Sequence, residues 1–215
     1  MKIQKKFNVL LADDHKIVRH GLKKILEDEF SEAYVGEASR DNEIFEQLQK
    51  SKWDLIILDI SMPGKSGLEI LKDIKATHPE LPVLILSMYP EEQFALRVMK
   101  SGAAGYIRKD SAPEELVDAV KDILEGKKYI SPTVMDLLSD VVKKDKSLEL
   151  SELLSDREYE IFMLIAQGKT VSEIAEILSL SVKTVSTHRT HILEKTRLKN
   201  NADIVMYAVR NNLLQ

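Results

Sequence analysis

Asp13, Asp14, Asp59, Ser87 and Lys109 are the residues of this sequence whose types and placement suit phosphate chemistry. Carboxylates gathered at one place repel one another when ionised, so a cluster of them needs a compensating cation. Hard oxygen ligands and a phosphate partner favour Mg²⁺ in that role. A carboxylate beside Mg²⁺ can attack a phosphoryl group, because the metal screens the incoming charge while the Lys109 ammonium and the Ser87 hydroxyl hold the phosphoryl oxygens. The product is an aspartyl phosphate. Singly, each residue has a commoner explanation: a turn-forming Asp, a helix-capping Ser, a solvated Lys, and for Tyr106 a place in the core. The chemistry rests on their joint placement.

That placement comes from short apolar runs. Val9-Leu10-Leu11-Ala12 runs into Asp13-Asp14, Leu55-Ile56-Ile57-Leu58 into Asp59, Val83-Leu84-Ile85-Leu86 into Ser87, and Ala103-Ala104-Gly105-Tyr106-Ile107 into Arg108-Lys109. Runs of this kind alternating with amphipathic stretches read as parallel strands buried on both faces, and ligands of open α/β sheets bind outside the carboxyl ends of such strands. A further strand is expected near Tyr34–Ala38, ending in no obvious chemistry. Ser66-x-x-Glu69 and Ser111-x-x-Glu114 mark helix starts as capping boxes.

A chain of 215 residues with 44% hydrophobic and 31% charged residues accommodates two modest domains. There is no cysteine, which removes disulfides and thiolate metal sites and suits the cytoplasm. The apolar stretch after Lys5-Lys6 is cut short by Asp13-Asp14, too soon for a signal peptide, and no run approaches membrane-spanning length.

After Lys128 the pattern changes. Ser131-Pro132 opens a segment in which Val134, Leu137, Leu138, Val141 and Val142 recur at helical spacing, which predicts a partly helical linker. From Ser151 onward every signal is helical: capping boxes at Ser155-x-x-Glu158 and Thr170-x-x-Glu173, a C-cap at Gly168, and N-caps at Ser181 and Asn200. Glu173-Ile174-Ala175, Leu178, Ser181 and Val182-Lys183-Thr184-Val185 trace two helices joined by a tight turn, the grammar of a helix-turn-helix. The second helix, about 182–196, should bury Val185 and Ile192 and expose Lys183, Ser186, Thr187, Arg189, Thr190 and Lys195. Such a face suits a major groove. Residues 151–215 hold four Lys and four Arg against six Glu and two Asp, a net of zero, but Lys183, Arg189, Lys195, Arg197 and Lys199 stand against Glu194 alone over 181–199. A helical protein-interaction module with a solvated charged face is the competing reading of this half.

Ala12-Asp13-Asp14-His15, Leu58 to Gly64, Leu86-Ser87-Met88 and Tyr106-Ile107-Arg108-Lys109 resemble, in order and over Phe7 to Lys128, the motifs of a two-component receiver domain. The resemblance implies that Asp59 is the phosphoacceptor and that Asp14, Asp59 and the backbone carbonyl of Ser61 bind Mg²⁺, with Asp13 acting through water. It also implies that Ser87 and Lys109 grip the phosphoryl oxygens while Tyr106 turns inward to follow Ser87. Met88 stands where a small residue is usual, and Asp110 where proline is common.

The second half is similar to the LuxR-type helix-turn-helix, and the whole chain resembles a NarL/FixJ-family response regulator. The implied fold is an α/β doubly wound five-stranded parallel sheet, flavodoxin-like, over 1–128, a linker over 129–150, and an all-α four-helix domain over 151–215. Positions matching Ser186, Thr187 and Thr190 face bases in that family, and those matching Lys183, Thr184 and Lys195 lie near the DNA backbone. Thr196 and Asn201 replace the usual leucine and arginine. The implied partners are a sensor histidine kinase, a double-stranded DNA operator, a second copy of the chain after phosphorylation, and RNA polymerase; no membrane and no independent catalytic turnover are expected. Two rival readings, one an enzyme and one a nucleotide binder, fit worse. A dehalogenase-type phosphohydrolase wants a second carboxylate where Ser61 stands, and a flavodoxin-like nucleotide site wants a Gly- or Ser-rich loop where Asp13-Asp14-His15 would repel phosphate.

Overall fold

A computed structural model describes residues 6–135, 153–211 and 213–214. The chain divides into two compact units, 1–134 and 135–215.

In the first unit the apolar runs are strands: β1 (Phe7–Ala12), β2 (Ala33–Ala38), β3 (Leu55–Asp59), β4 (Val83–Ser87) and β5 (Gly105–Arg108). All pairings are parallel, in the order β2-β1-β3-β4-β5. The helices between and after them are α1 (Lys16–Glu29), α2 (Asp41–Lys50), α3 (Gly67–Thr77), α4 (Glu91–Lys100) and α5 (Ala112–Leu124). Only the β1 to β2 step runs one way along the sheet. Right-handed crossovers therefore put α1 on one face and α2, α3 and α4 on the other. On the first face Val9, Leu11, Leu55, Ile57, Leu84, Leu86 and Ile107 pack with Leu22 and Leu26 of α1 and Leu116, Val120 and Ile123 of α5. The alternate residues Leu10, Ile56, Leu58 and Ile85 are fully buried as well. Two buried faces explain why these strands read as unbroken apolar runs rather than alternating ones, and each such side chain contributes about 1.5–3 kcal/mol of burial.

Helix starts follow their sequence signals with one exception. Ser66 forms a capping box with Glu69. Ser111 does not form the expected box: its backbone is already helical (φ −94°, ψ −5°), its side chain makes no cap bond, and its hydroxyl donates to the Arg108 carbonyl instead. Pro113 in the first turn, with φ already set for a helix, starts α5 without that cap.

In the second unit the described helices are α6 (Asp156–Ala166), α7 (Val171–Ile177), α8 (Val182–Thr196) and α9 (Asn201–Arg210). Ser155 and Thr170 form capping boxes, and Ser181 and Asn200 accept hydrogen bonds from Thr184 N and Asp203 N. Gly168 has φ +85°, the left-handed conformation that ends a helix. Of the expected linker helix, 132–135 is helical, while Leu137, Leu138, Val141 and Val142 lie outside the described residues. Among the described residues no helix is long and apolar enough to cross a membrane.

Candidate functional site

The strand register assembles the acidic pocket. Ala12 pairs with Leu58 and Asp59 with Leu86, so Asp13 and Asp59 emerge side by side at the carboxyl edge; Ser87 pairs with Arg108, placing Lys109 next. Asp13, Asp59 and Ser87 are fully buried. The Lys109 ammonium reaches Asp59 Oδ2 at 2.7 Å and Asp13 Oδ2 at 2.8 Å, and its backbone N–H donates to the Ser87 carbonyl at 2.8 Å. Burial, and then Asp13, push the Asp59 carboxyl up against the pull of Lys109. Burial lowers the Lys109 ammonium, but Asp59 and Asp13 more than offset it and leave it raised. Lys109 is thus held in its charged form by the two acids it bridges.

The loops at this edge are braced. Arg19 donates to the Asp13 carbonyl at 2.6 Å and pairs with Glu37, and Asp13 N–H donates to the Ala38 carbonyl. On the Asp59 side, Ser61 N–H donates to Asp59 Oδ1 at 3.1 Å. Gly67 is required there, because a Cβ would lie 2.4 Å from the Asp59 carbonyl oxygen and 2.5 Å from Ile60 Cα. The start of α3 is pressed directly onto the backbone that carries Asp59.

Ser87 and Tyr106 form a second linked group. Ser87 Oγ accepts from Tyr89 N–H at 3.0 Å, and the buried Tyr106 hydroxyl donates to the Tyr89 carbonyl at 2.8 Å. Tyr106 already points inward, and burial pushes its phenol up, so it remains a donor. Met88 lies between these bonded residues with its side chain two-thirds exposed.

The donor set fits a hard divalent cation. Oxygens of Asp13, Asp14 and Asp59 and a ring nitrogen of His15 lie within 4.8 Å of one another. Asp14 Oδ1 is buried without a hydrogen-bond partner. His15 was absent from the metal-binding set expected from sequence. Its signal, direct adjacency to Asp13-Asp14, was present but is shared by any residue that ends a strand.

In the second unit, α8 buries Val185 and Ile192 and exposes Lys183, Ser186, Thr187 and Thr190, while Thr184 is half-buried. The Thr187 and Thr190 hydroxyls donate to the carbonyls of Lys183 and Ser186, and Thr184 Oγ1 lies 2.7 Å from Ser181 Oγ. Arg189 and Lys195 are not free cations: Arg189 bonds Asn201, and Lys195 reaches Glu158 Oε2 at 2.6 Å. Neither pairing is visible from local sequence.

Residues 9–121 match the response regulator receiver domain, and residues 152–208 match the luxR family of bacterial regulatory proteins. The oxygen regulatory protein NreC of Staphylococcus epidermidis is 38% identical over 215 residues, covering 96% of this chain and 99% of its own. The response regulator UvrY of Escherichia coli is 34% identical, covering 96% and 95%. Among solved structures, the RcsB response regulator of Salmonella typhimurium shares 28% identity with a TM-score of 0.67, covering 96% of this chain and 98% of its own. An RcsB–DNA complex shares 30% identity with a TM-score of 0.59, covering 95% and 98%.

Proposed function

The chain belongs to the NarL/FixJ family of two-component response regulators, DNA-binding transcription regulators rather than conventional enzymes, and on that premise we propose that Asp59 is its phosphoacceptor and that the phosphoryl group switches DNA binding. The carrying observation is the fully buried Asp59 with Lys109 Nζ at 2.7 Å, at the strand edge shared with Asp13 and Ser87.

A sensor histidine kinase supplies the phosphoryl group. One Asp59 oxygen forms the new O–P bond as the N–P bond of the phosphohistidine breaks, and the leaving imidazole keeps the electron pair and takes up a proton. Asp14, Asp59, the Ser61 carbonyl and, through water, Asp13 would hold Mg²⁺, whose charge would screen the phosphoryl oxygens. Lys109 then exchanges one carboxylate partner for a phosphoryl oxygen, a stronger acceptor. Ser87 Oγ, drawn to the phosphoryl group, releases Tyr89 N–H, while Tyr106 keeps its hold on the Tyr89 carbonyl. Both bonds fall on Tyr89, in the loop that leads into α4, and this loop is the two-state element.

The output is a double-stranded DNA operator read by Ser186, Thr187 and Thr190, with Lys183, Thr184 and Lys195 toward the DNA backbone and Arg189 held between them by Asn201. The domain boundaries are 1–128, 129–150 and 151–215. A neutral DNA-binding domain holds DNA weakly as one copy, so phosphorylation acts by supplying the second copy of a homodimer on half-sites about one helical turn apart. RNA polymerase is the further partner at the promoter, and the protein works in the cytoplasm.

The test is incubation with Mg²⁺ and a small phosphodonor. One phosphoryl group is expected on the parent chain and none on Asp59→Asn. Equal labelling of the variant would refute the assignment.

A further inference from the structure

One donor in the acidic pocket has no part in the phosphoryl chemistry. The His15 ring sits with Nδ1 2.8 Å from Asp14 Oδ1 and 3.4 Å from Asp13 Oδ1. Its backbone holds it there: His15 N–H donates to Asp13 Oδ1 at 2.7 Å, and its carbonyl accepts from Arg19 N–H in the first turn of α1. Lys109 contacts the opposite side of the pocket, through Oδ2 of Asp13 and Oδ2 of Asp59. The Oδ1 side of Asp13 and the buried Oδ1 of Asp14 face the imidazole.

Neighbouring donors of an octahedral cation with bonds near 2.1 Å are about 3 Å apart. The Nδ1 to Asp14 Oδ1 separation of 2.8 Å is close to that edge. Mg²⁺ takes oxygen and parts reluctantly with its water, whereas first-row divalent cations accept imidazole, with affinity rising from Mn²⁺ to Ni²⁺.

We infer that His15 Nδ1 is a ligand of the cation held by Asp14, and that it makes this pocket prefer imidazole-accepting divalent cations of the first transition row over Mg²⁺. The inference rests on the reading of the pocket as a divalent-cation site. The ring binds in its neutral form with the proton on Nε2, and a proton on Nδ1 leaves to solvent as the metal bond forms. With 62% of its side chain exposed, His15 can exchange that proton directly. A cation bound this way competes with Mg²⁺ at Asp14, so the metal supply bears on phosphorylation. The plainer role for His15 is a hydrogen-bond donor that steadies Asp14, and the two roles differ measurably.

The experiment uses the full, untagged chain. With Mn²⁺ bound, pulsed EPR is expected to detect imidazole ¹⁴N coupling in the parent and none in His15→Ala. Calorimetric titration is expected to show His15→Ala losing Ni²⁺ affinity by about tenfold more than it loses Mg²⁺ affinity. His15→Gln, which keeps a donor and similar bulk, should behave as His15→Ala and covers the case in which the alanine variant folds poorly. Absence of ¹⁴N coupling in the parent, or equal losses for Ni²⁺ and Mg²⁺, overturns the His15 assignment and leaves the Mg²⁺ pocket standing. If neither ion binds the parent, or Asp14→Ala binds both as well as the parent does, the pocket reading falls and the inference with it.

Discussion

Arg189 Nε donates to Asn201 Oδ1 at 2.6 Å, tying the middle of α8 to the first residue of α9. The second guanidinium usual in the family at position 201 would face Arg189 with like charge, whereas an amide oxygen accepts from it. Asn201 thus makes Arg189 a tie between two helices.

Arg189→Ala and Asn201→Ala should therefore be non-additive. In thermal unfolding, the double variant is expected to lose less stability than the sum of the single variants by about 1 kcal/mol. Additive losses would mean that the bond contributes nothing to the helix contact.

Lys109→Ala leaves Asp13 and Asp59 buried without their shared ammonium, and breaking a buried pair on one side costs on the order of 3 kcal/mol. Added Mg²⁺ should recover part of that loss by binding only the folded state. The variant should still accept a phosphoryl group yet fail to gain DNA affinity from it. Phosphorylated Lys109→Ala binding DNA as tightly as the phosphorylated parent would remove Lys109 from the switch.

Gly67→Ala places a methyl group 2.4 Å from the Asp59 carbonyl oxygen. Because backbone rather than a flexible side chain blocks it, the expected loss is about 1–3 kcal/mol with a slower phosphorylation rate. Chemical denaturation and phosphodonor labelling measure the two effects, and an unchanged labelling rate would show that α3 does not position Asp59.

Burial pushes the Glu158 carboxyl up, but Lys195 and the Ser155 cap outweigh it and hold the group below the ordinary carboxylate range. A carboxyl depressed in the folded state adds stability above its unfolded pKa, and this is lost as pH falls through the folded value. The stability difference between the parent and Glu158→Gln should be largest near neutrality and shrink as pH falls below the ordinary carboxylate range. A difference independent of pH would assign the Glu158 effect to packing alone.

On DNA, Lys183→Ala is expected to weaken binding to every sequence and reduce the salt slope by about one. Lys195→Ala should reduce it by less, because Glu158 already neutralises that ammonium at 2.6 Å. Thr187→Ala or Thr190→Ala should instead change preference among sites by roughly 1–3 kcal/mol. Titrations against salt on DNA with one and two half-sites provide the comparison, and tight phosphorylation-independent binding to a single half-site would defeat the dimer account.

The parallel sheet and its reactive edge were legible in the sequence because strands buried on both faces must be continuously apolar, so the first polar residue after each run, such as Asp13, Asp59 or Ser87, marks the edge. Capping at Ser66, Ser155, Thr170, Ser181 and Asn200 was equally legible, since a cap is a bond between residues three positions apart. Ser111 shows the limit of that logic: its motif is intact, but a helical backbone at the cap position turns the hydroxyl away. What only the tertiary structure decided are the partners distant in the chain, namely Lys195 with Glu158, Arg189 with Asn201, Tyr106 with Tyr89 and Gly67 against Asp59. Periodicity and capping report on neighbours along the chain, whereas ion pairs and close backbone approaches depend on which elements pack together. A cation exposed on a helical wheel can therefore be paired in the folded domain, and a histidine that begins a helix can lie within the reach of a metal.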